Sequence, residues 1–190
     1  DGTYSAGPSF ELDLARHGRK FNYTGKYSDT ATGFVTDTGF FRRPDYRLFK
    51  QTAEVSWHPK KTFIYAHGPS ISSYQSFDHA TGTHLENFST LAYNVLLRGQ
   101  TTIQAGITQG GETLRPLDFA SLTTNRHYSE PGFTFFLGSD HFSKLGVRFS
   151  FERDKKPNYS GVHVFDLPPL GVPPQLGTDD SVYTSLIYRP

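Results

Sequence analysis

Residues 89–109 read STLAYNVLLRGQTTIQAGITQ. In an extended chain successive side chains point to opposite faces, so Leu91, Tyr93, Val95 and Leu97 share one face and Thr90, Ala92 and Asn94 the other. The RGQ turn reverses the chain, and Ile103, Ala105 and Ile107 continue the apolar side. This pattern predicts an antiparallel hairpin with one apolar and one polar face.

The same period of two recurs toward both ends of the chain. Upstream, SFELDLARH sets Phe10, Leu12 and Leu14 against Glu11 and Asp13. After a short HGR turn, KFNYTGKYS sets Phe21, Tyr23 and Tyr27 against Asn22, Thr24 and Lys26. FKQTAEVSW alternates Phe49, Ala53, Val55 and Trp57 with Lys50, Thr52, Glu54 and Ser56, and an HPKK turn leads into TFIYAHGPSISSYQSF. Downstream, KLGVRFSFE opposes Leu145, Val147, Phe149 and Phe151 to Arg148, Ser150 and Glu152, and SVYTSLIY groups Val182, Thr184, Leu186 and Tyr188. Long irregular connections are expected at 29–45, 76–84, about 110–132 and about 155–180. Five of the 12 prolines (Pro157, Pro168, Pro169, Pro173 and Pro174) fall in or beside the last of these, where neither strand nor helix interior tolerates them.

Composition narrows what such strands can build. The chain of 190 residues suits one domain, taken as 1–190. Its 19 basic and 18 acidic residues nearly cancel, so charge gives no case for a nucleic-acid partner. The absence of cysteine excludes disulfides, Cys-ligated metals and thiol nucleophiles. Only 35% of residues are hydrophobic, yet 15% are aromatic, a bias that suits membrane interfaces. No apolar run approaches the ~20 residues of a spanning helix, which leaves a closed barrel as the one route to membrane integration.

Charged residues within the strands require one hydrated face, and the turns sort into short and long. Transmembrane barrels show that asymmetry, with tight turns at one rim and long loops at the other. The expected fold is therefore all-β: an antiparallel up-and-down transmembrane β-barrel with about eight to ten strands present, part of a larger barrel. Glu11, Asp13, Lys26, Lys50, Glu54, Arg148 and Glu152 are its candidate lumen-facing residues, either bordering a pore or pairing across strands to plug it. A barrel with missing strands would also need neighbouring strands or another subunit as partners.

One segment carries a family resemblance: Gly39-Phe40-Phe41-Arg42-Arg43-Pro44-Asp45-Tyr46-Arg47 after a Tyr-Ser-Asp strand end, followed by a Trp57-His58-Pro59 turn and a last strand closing on Arg189-Pro190. It resembles bacterial outer-membrane β-barrels of a family of unknown function that follow a family-9-like carbohydrate-binding N-terminal domain. The resemblance implies a longer, signal-bearing precursor whose soluble domain is absent here. It also implies location in the bacterial outer membrane, outer-membrane lipid as a partner, further strands, and a role in passage or surface binding that extends to glycans. Phe40 and Phe41 are candidate interface anchors, and Arg42, Arg43 and Arg47 candidate rim contacts to carboxylates or lipid phosphates. The same cluster also serves simply to close a loop over the barrel mouth.

Motifs for phosphate, dinucleotide or catalytic chemistry are missing, so no enzymatic activity and no cofactor are expected. Asp78, His79 and His84 in FDHATGTH offer two imidazoles and a carboxylate for Zn or Cu, and Asp166, Asp179 and Asp180 offer oxygen ligands for Ca²⁺, but neither spacing matches a metal signature and both groups are read as solvated loop residues. A second class fits the alternation as well: a soluble secreted β-sandwich or lipocalin-like ligand-binding module, its apolar face covered by another sheet or enclosing a pocket. The position of Phe21, Tyr23, Leu91, Tyr93, Val95, Phe149 and Phe151 separates the two classes.

Overall fold

A computed structural model describes residues 7–31, 45–116, 122–158 and 174–189. They form nine strands: β1 (Ser9–Arg16), β2 (Phe21–Thr30), β3 (Tyr46–Val55), β4 (Ile64–Asp78), β5 (His84–Leu97), β6 (Thr101–Leu114), β7 (Arg126–Phe142), β8 (Leu145–Asn158) and β9 (Gln175–Tyr188). All nine lie in one sheet in sequence order, and every ladder is antiparallel. The all-β antiparallel up-and-down class expected from the alternation is what the chain adopts. β1 and β9 are the two edges of the sheet, and no ladder joins them among the described residues.

Up-and-down order places connections 17–20, 56–63, 98–100 and 143–144 at one rim and 31–45, 79–83, 115–125 and 159–174 at the other. These are called the short-turn rim and the long-loop rim. Gly99 and Gln100, at φ of 102° and 59°, supply the left-handed backbone that the three-residue RGQ loop demands. The 56–63 connection is longer than a tight HPKK turn, because the chain first makes a Trp57–His67 bridge.

Three expected connections are corrected. The 155–180 segment is strand at both ends: Lys155–Asn158 finishes β8 and Gln175–Asp180 opens β9, so Pro157 lies within a strand, opposite Leu176. The 76–84 segment is mostly strand, and only 79–83 turns the chain. Asp78 closes that turn by accepting the Thr81 N–H (2.8 Å) and hydroxyl (2.7 Å), an Asx arrangement that needs few residues. The 110–132 segment is not one loop either. Gly110–Leu114 continues β6 through its Gly-Gly pair, and Arg126–Gly132 begins β7, a strand that Pro131-Gly132 disguises.

Burial does not sort apolar from polar side chains. Large apolar side chains are exposed, among them Leu14 (62%), Ile107 (62%), Val182 (64%) and Leu186 (69%), while Thr30, Thr108, Ser76, Asp78 and Asp154 are buried. The buried apolar residues are few, and Leu114, Leu122 and Tyr128 cluster together near the long-loop rim. No second sheet covers the apolar face among the described residues.

Candidate functional site: a polar face backed by an apolar band

Register sorts the side chains into two faces with no exception among the residues singled out from sequence. Glu11, Asp13, Lys26, Lys50, Glu54, Arg148 and Glu152 all share the polar face. Phe21, Tyr23, Leu91, Tyr93, Val95, Phe149 and Phe151 all share the opposite one.

The apolar residues form a band whose position shifts systematically. One row of paired residues crosses the whole sheet: Arg16, Tyr23, Ala53, Ile71, Leu91, Ile107, Phe133, Arg153 and Asp180. On β1 the apolar residues centre on Leu12, four residues from Arg16 toward the long-loop rim. On β3 the centre is Thr52, one residue from Ala53 on that same side. By β5 it has moved to Asn94, three residues from Leu91 toward the short-turn rim, and on β9 to Ser185, five residues from Asp180. The band thus shifts about nine residues over the eight steps from β1 to β9, roughly one residue per strand. With ~3.3 Å per residue and ~4.8 Å between strands, a flat band with that shift is crossed by strands inclined at roughly 35–40°.

Aromatic side chains edge this band. Phe10, Tyr27, Phe49 and Phe77 form a row across β1–β4, with neighbouring ring centroids 6.1, 4.7 and 6.0 Å apart. Directly beyond them, Asp29 accepts from the Tyr27 hydroxyl (3.1 Å), Arg47 Nε (3.3 Å) and His79 Nδ1 (2.5 Å). Tyr27 therefore joins an apolar layer to a charged one, the arrangement amphipathic rings adopt at an interface. Near the short-turn rim Trp57, Phe142 and Tyr188 are exposed, and Tyr93 hydrogen-bonds His67 Nδ1 (2.6 Å).

Several charges on the polar face have local partners. Lys26 Nζ lies 2.5 Å from Glu11, Arg148 pairs with Asp140, and Lys50 sits 5.6 Å over the Tyr74 ring. Tyr74 donates to Glu86 (3.0 Å), and Glu54 accepts from Ser56 (3.3 Å). An amide chain runs from Gln104 Nε2 to Asn94 Oδ1 (2.6 Å) and from Asn94 Nδ2 to Ser70 Oγ (2.8 Å). The amide-chain residues, with Glu54 and Ser56, border a concavity of about 560 Å³ toward the short-turn rim, lined also by Asn22, Thr52 and Arg19. Its hydroxyl, amide, carboxylate, imidazole and guanidinium groups offer both hydrogen-bond donors and acceptors.

Gly68 borders the same concavity. A Cβ there would stand 1.8 Å from the Val55 carbonyl oxygen, so the backbones of β3 and β4 approach closely only because residue 68 has no side chain. Gly68→Ala is expected to destabilise the fold by about 1–3 kcal/mol through overpacking. A urea midpoint equal to that of the parent protein would show that the strands do not meet there.

Of the rim candidates, Arg47 is placed in the Asp29 cluster, whereas Phe40, Phe41, Arg42 and Arg43 lie outside the described residues. Asp78, His79 and His84 do not converge. Asp78 binds Thr81 and Arg115 (2.5 Å), His79 turns to Asp29, and the His84 ring lies against Phe77 at 4.9 Å. Asp179 and Asp180 point to opposite faces, the first 3.3 Å from Lys156 and the second 2.6 Å from Arg153; Asp166 is outside the described residues. Among the described residues no group of three or more His, Asp or Glu is placed to hold a metal ion.

Sequence reasoning missed Glu112, Glu130, Asp140 and Asp154 on the polar face, the first two because 110–132 was taken as loop. Phe133, Phe135 and Leu137 alternating with Gly132, Thr134 and Gly138 were the available signal.

The fold and its two faces define an open, antiparallel up-and-down sheet, polar on one side and aromatic-edged apolar on the other. Compared with family models, curated proteins and solved structures, the chain finds no match.

Proposed function

We propose that the nine strands form part of the wall of a β-barrel in the bacterial outer membrane, with the apolar band against lipid and the polar face lining a passage or binding surface. The shift of the apolar band carries this reading. A band level with a membrane must move along the register as the strands tilt, and roughly 35–40° falls within the tilt that transmembrane barrels adopt. A soluble sandwich or lipocalin-like module has no cause to keep such a band exposed, and Leu91 and Tyr93 are 53% and 45% exposed.

The aromatic row followed by the Asp29–Arg47–His79 cluster fits an interface at the long-loop rim, and the resemblance of the 39–47 segment to outer-membrane barrels points the same way. Polar solutes, glycans included, suit the hydrogen-bonding groups of the concavity. Membrane fractionation tests the proposal: the native protein should sediment with the outer membrane and require detergent for release. Recovery wholly in the soluble fraction would sink it.

A further inference from the structure

We infer that β1 and β9 do not close on each other, and that each edge is completed by a membrane-spanning strand of the same polypeptide, outside the nine, running antiparallel to the edge it meets. This rests on the membrane reading above. Nine strands in up-and-down order make β1 and β9 run in the same direction, both from the long-loop rim to the short-turn rim. A direct seam between them would be a parallel ladder, while all eight existing ladders are antiparallel. An odd number of intervening strands makes every seam antiparallel.

A ring of identical copies does not solve the problem. It sets β9 of one copy beside β1 of the next, which is again a parallel pair. Joining like edges, β1 to β1, would require one copy to be inverted across the membrane. The sheet itself grows only by pairing sequence neighbours, so hairpin addition within one polypeptide is the route consistent with all its ladders.

Exposure marks the same two edges. Every residue of β1 is exposed, including Glu11 and Asp13 on the polar face, and β9 is exposed along nearly its whole length. On the strands inside these edges the polar face buries Thr30 (β2), Thr108 (β6) and Asp154 (β8). Both edge strands nevertheless carry the outward apolar band, as Phe10, Leu12 and Leu14 on β1 and Val182, Leu186 and Tyr188 on β9. Their unpaired N–H and C=O groups would therefore lie at the depth of the hydrocarbon, where backbone must be hydrogen-bonded. The band shift also sets the height of the incoming strands. Their outward apolar residues should centre opposite Glu11 at one edge and opposite Leu186 at the other.

The 190 residues contain no cysteine, so introduced pairs have no native competitor among them, and any cysteine of the added strands is replaced by serine first. In the native protein in its membrane, Asp13→Cys is combined in turn with Tyr183→Cys, Ser185→Cys and Ile187→Cys, all on the polar face, and oxidised. Asp13→Cys with Lys26→Cys, directly opposed across β1 and β2, is the reference. The reference pair should form an intramolecular disulfide and all three β1–β9 pairs should fail to. Photo-crosslinking from benzoylphenylalanine at Leu12 or Leu186 should give products within one polypeptide only. A β1–β9 disulfide in membrane-embedded protein overturns the inference and leaves the membrane reading standing. A photoproduct with a second polypeptide overturns the source assigned to the added strands. Loss of the protein from the membrane fraction, measured before oxidation, strikes the membrane reading instead.

Discussion

Ala105→Arg is expected to abolish or severely impair membrane assembly, while Gln104→Arg, one residue earlier on the same strand, is expected to be tolerated. Ala105 is exposed on the apolar face, flanked by Tyr93 on β5 and Phe135 on β7, at the centre of the β6 part of the band. An arginine at that depth of a bilayer costs about 2–4 kcal/mol. At Gln104 the new side chain points to the polar face, and the main loss is the hydrogen bond to Asn94, about 1 kcal/mol. In a water-soluble protein an exposed Ala→Arg change typically stays within about 0.5 kcal/mol, so the two environments give opposite rankings. Folding yield in lipid vesicles, followed by urea unfolding, reads the difference. A harmless Ala105→Arg would remove the lipid-facing assignment of the band.

The face assignments were legible in the sequence because period-two alternation survives wherever one face differs chemically from the other. Leu91–Leu97 and Ile103–Ile107 show this, and so does the Leu145–Phe151 run. Strand β7 was hidden by the opposite circumstance. Its polar face is crowded, so it carries Gly132, where a Cβ would fall 1.7 Å from Asp154 Oδ1 and 2.4 Å from Thr108 Oγ1. A glycine required for packing reads in sequence as a glycine required for turning. Pro131 beside it completes the false turn signal, although it sits at an outward position opposite Gln109.

Candidate-site residues were legible to the extent that their strands were. Glu11, Lys26 and Arg148 follow from alternation, but their partners do not. The Glu11–Lys26 pair needs the β1–β2 register, and the Arg148–Asp140 pair needs the β7–β8 hairpin. Tyr27 illustrates the limit from the other side. Alternation assigns it to the apolar face, but only the ladder to β3 shows that its hydroxyl reaches the Asp29 cluster beyond the aromatic row.

An epitope inserted after Thr124 is expected to be labelled on intact cells, and the same epitope inserted after Gly99 to stay hidden until the outer membrane is permeabilised. Outer-membrane barrels keep short turns on the periplasmic side and long loops outside. The topology puts connection 115–125 with 31–45, 79–83 and 159–174 at one rim, and the RGQ loop with 17–20, 56–63 and 143–144 at the other. The five-residue 79–83 and eight-residue 56–63 connections depart from the sorting by length, and the other six follow it. Thr123, Thr124 and Asn125 are exposed, which makes that segment a better insertion point than the 79–83 turn, where Asp78 ties down Thr81. The two outcomes differ by all or nothing, because an intact outer membrane excludes antibody. Surface labelling after Gly99 but not after Thr124 would invert the protein in its membrane while preserving the barrel. Labelling at both sites on intact cells would mean that no bilayer separates the rims, and the band of Leu91, Ala105 and Val182 would then need a cover other than lipid.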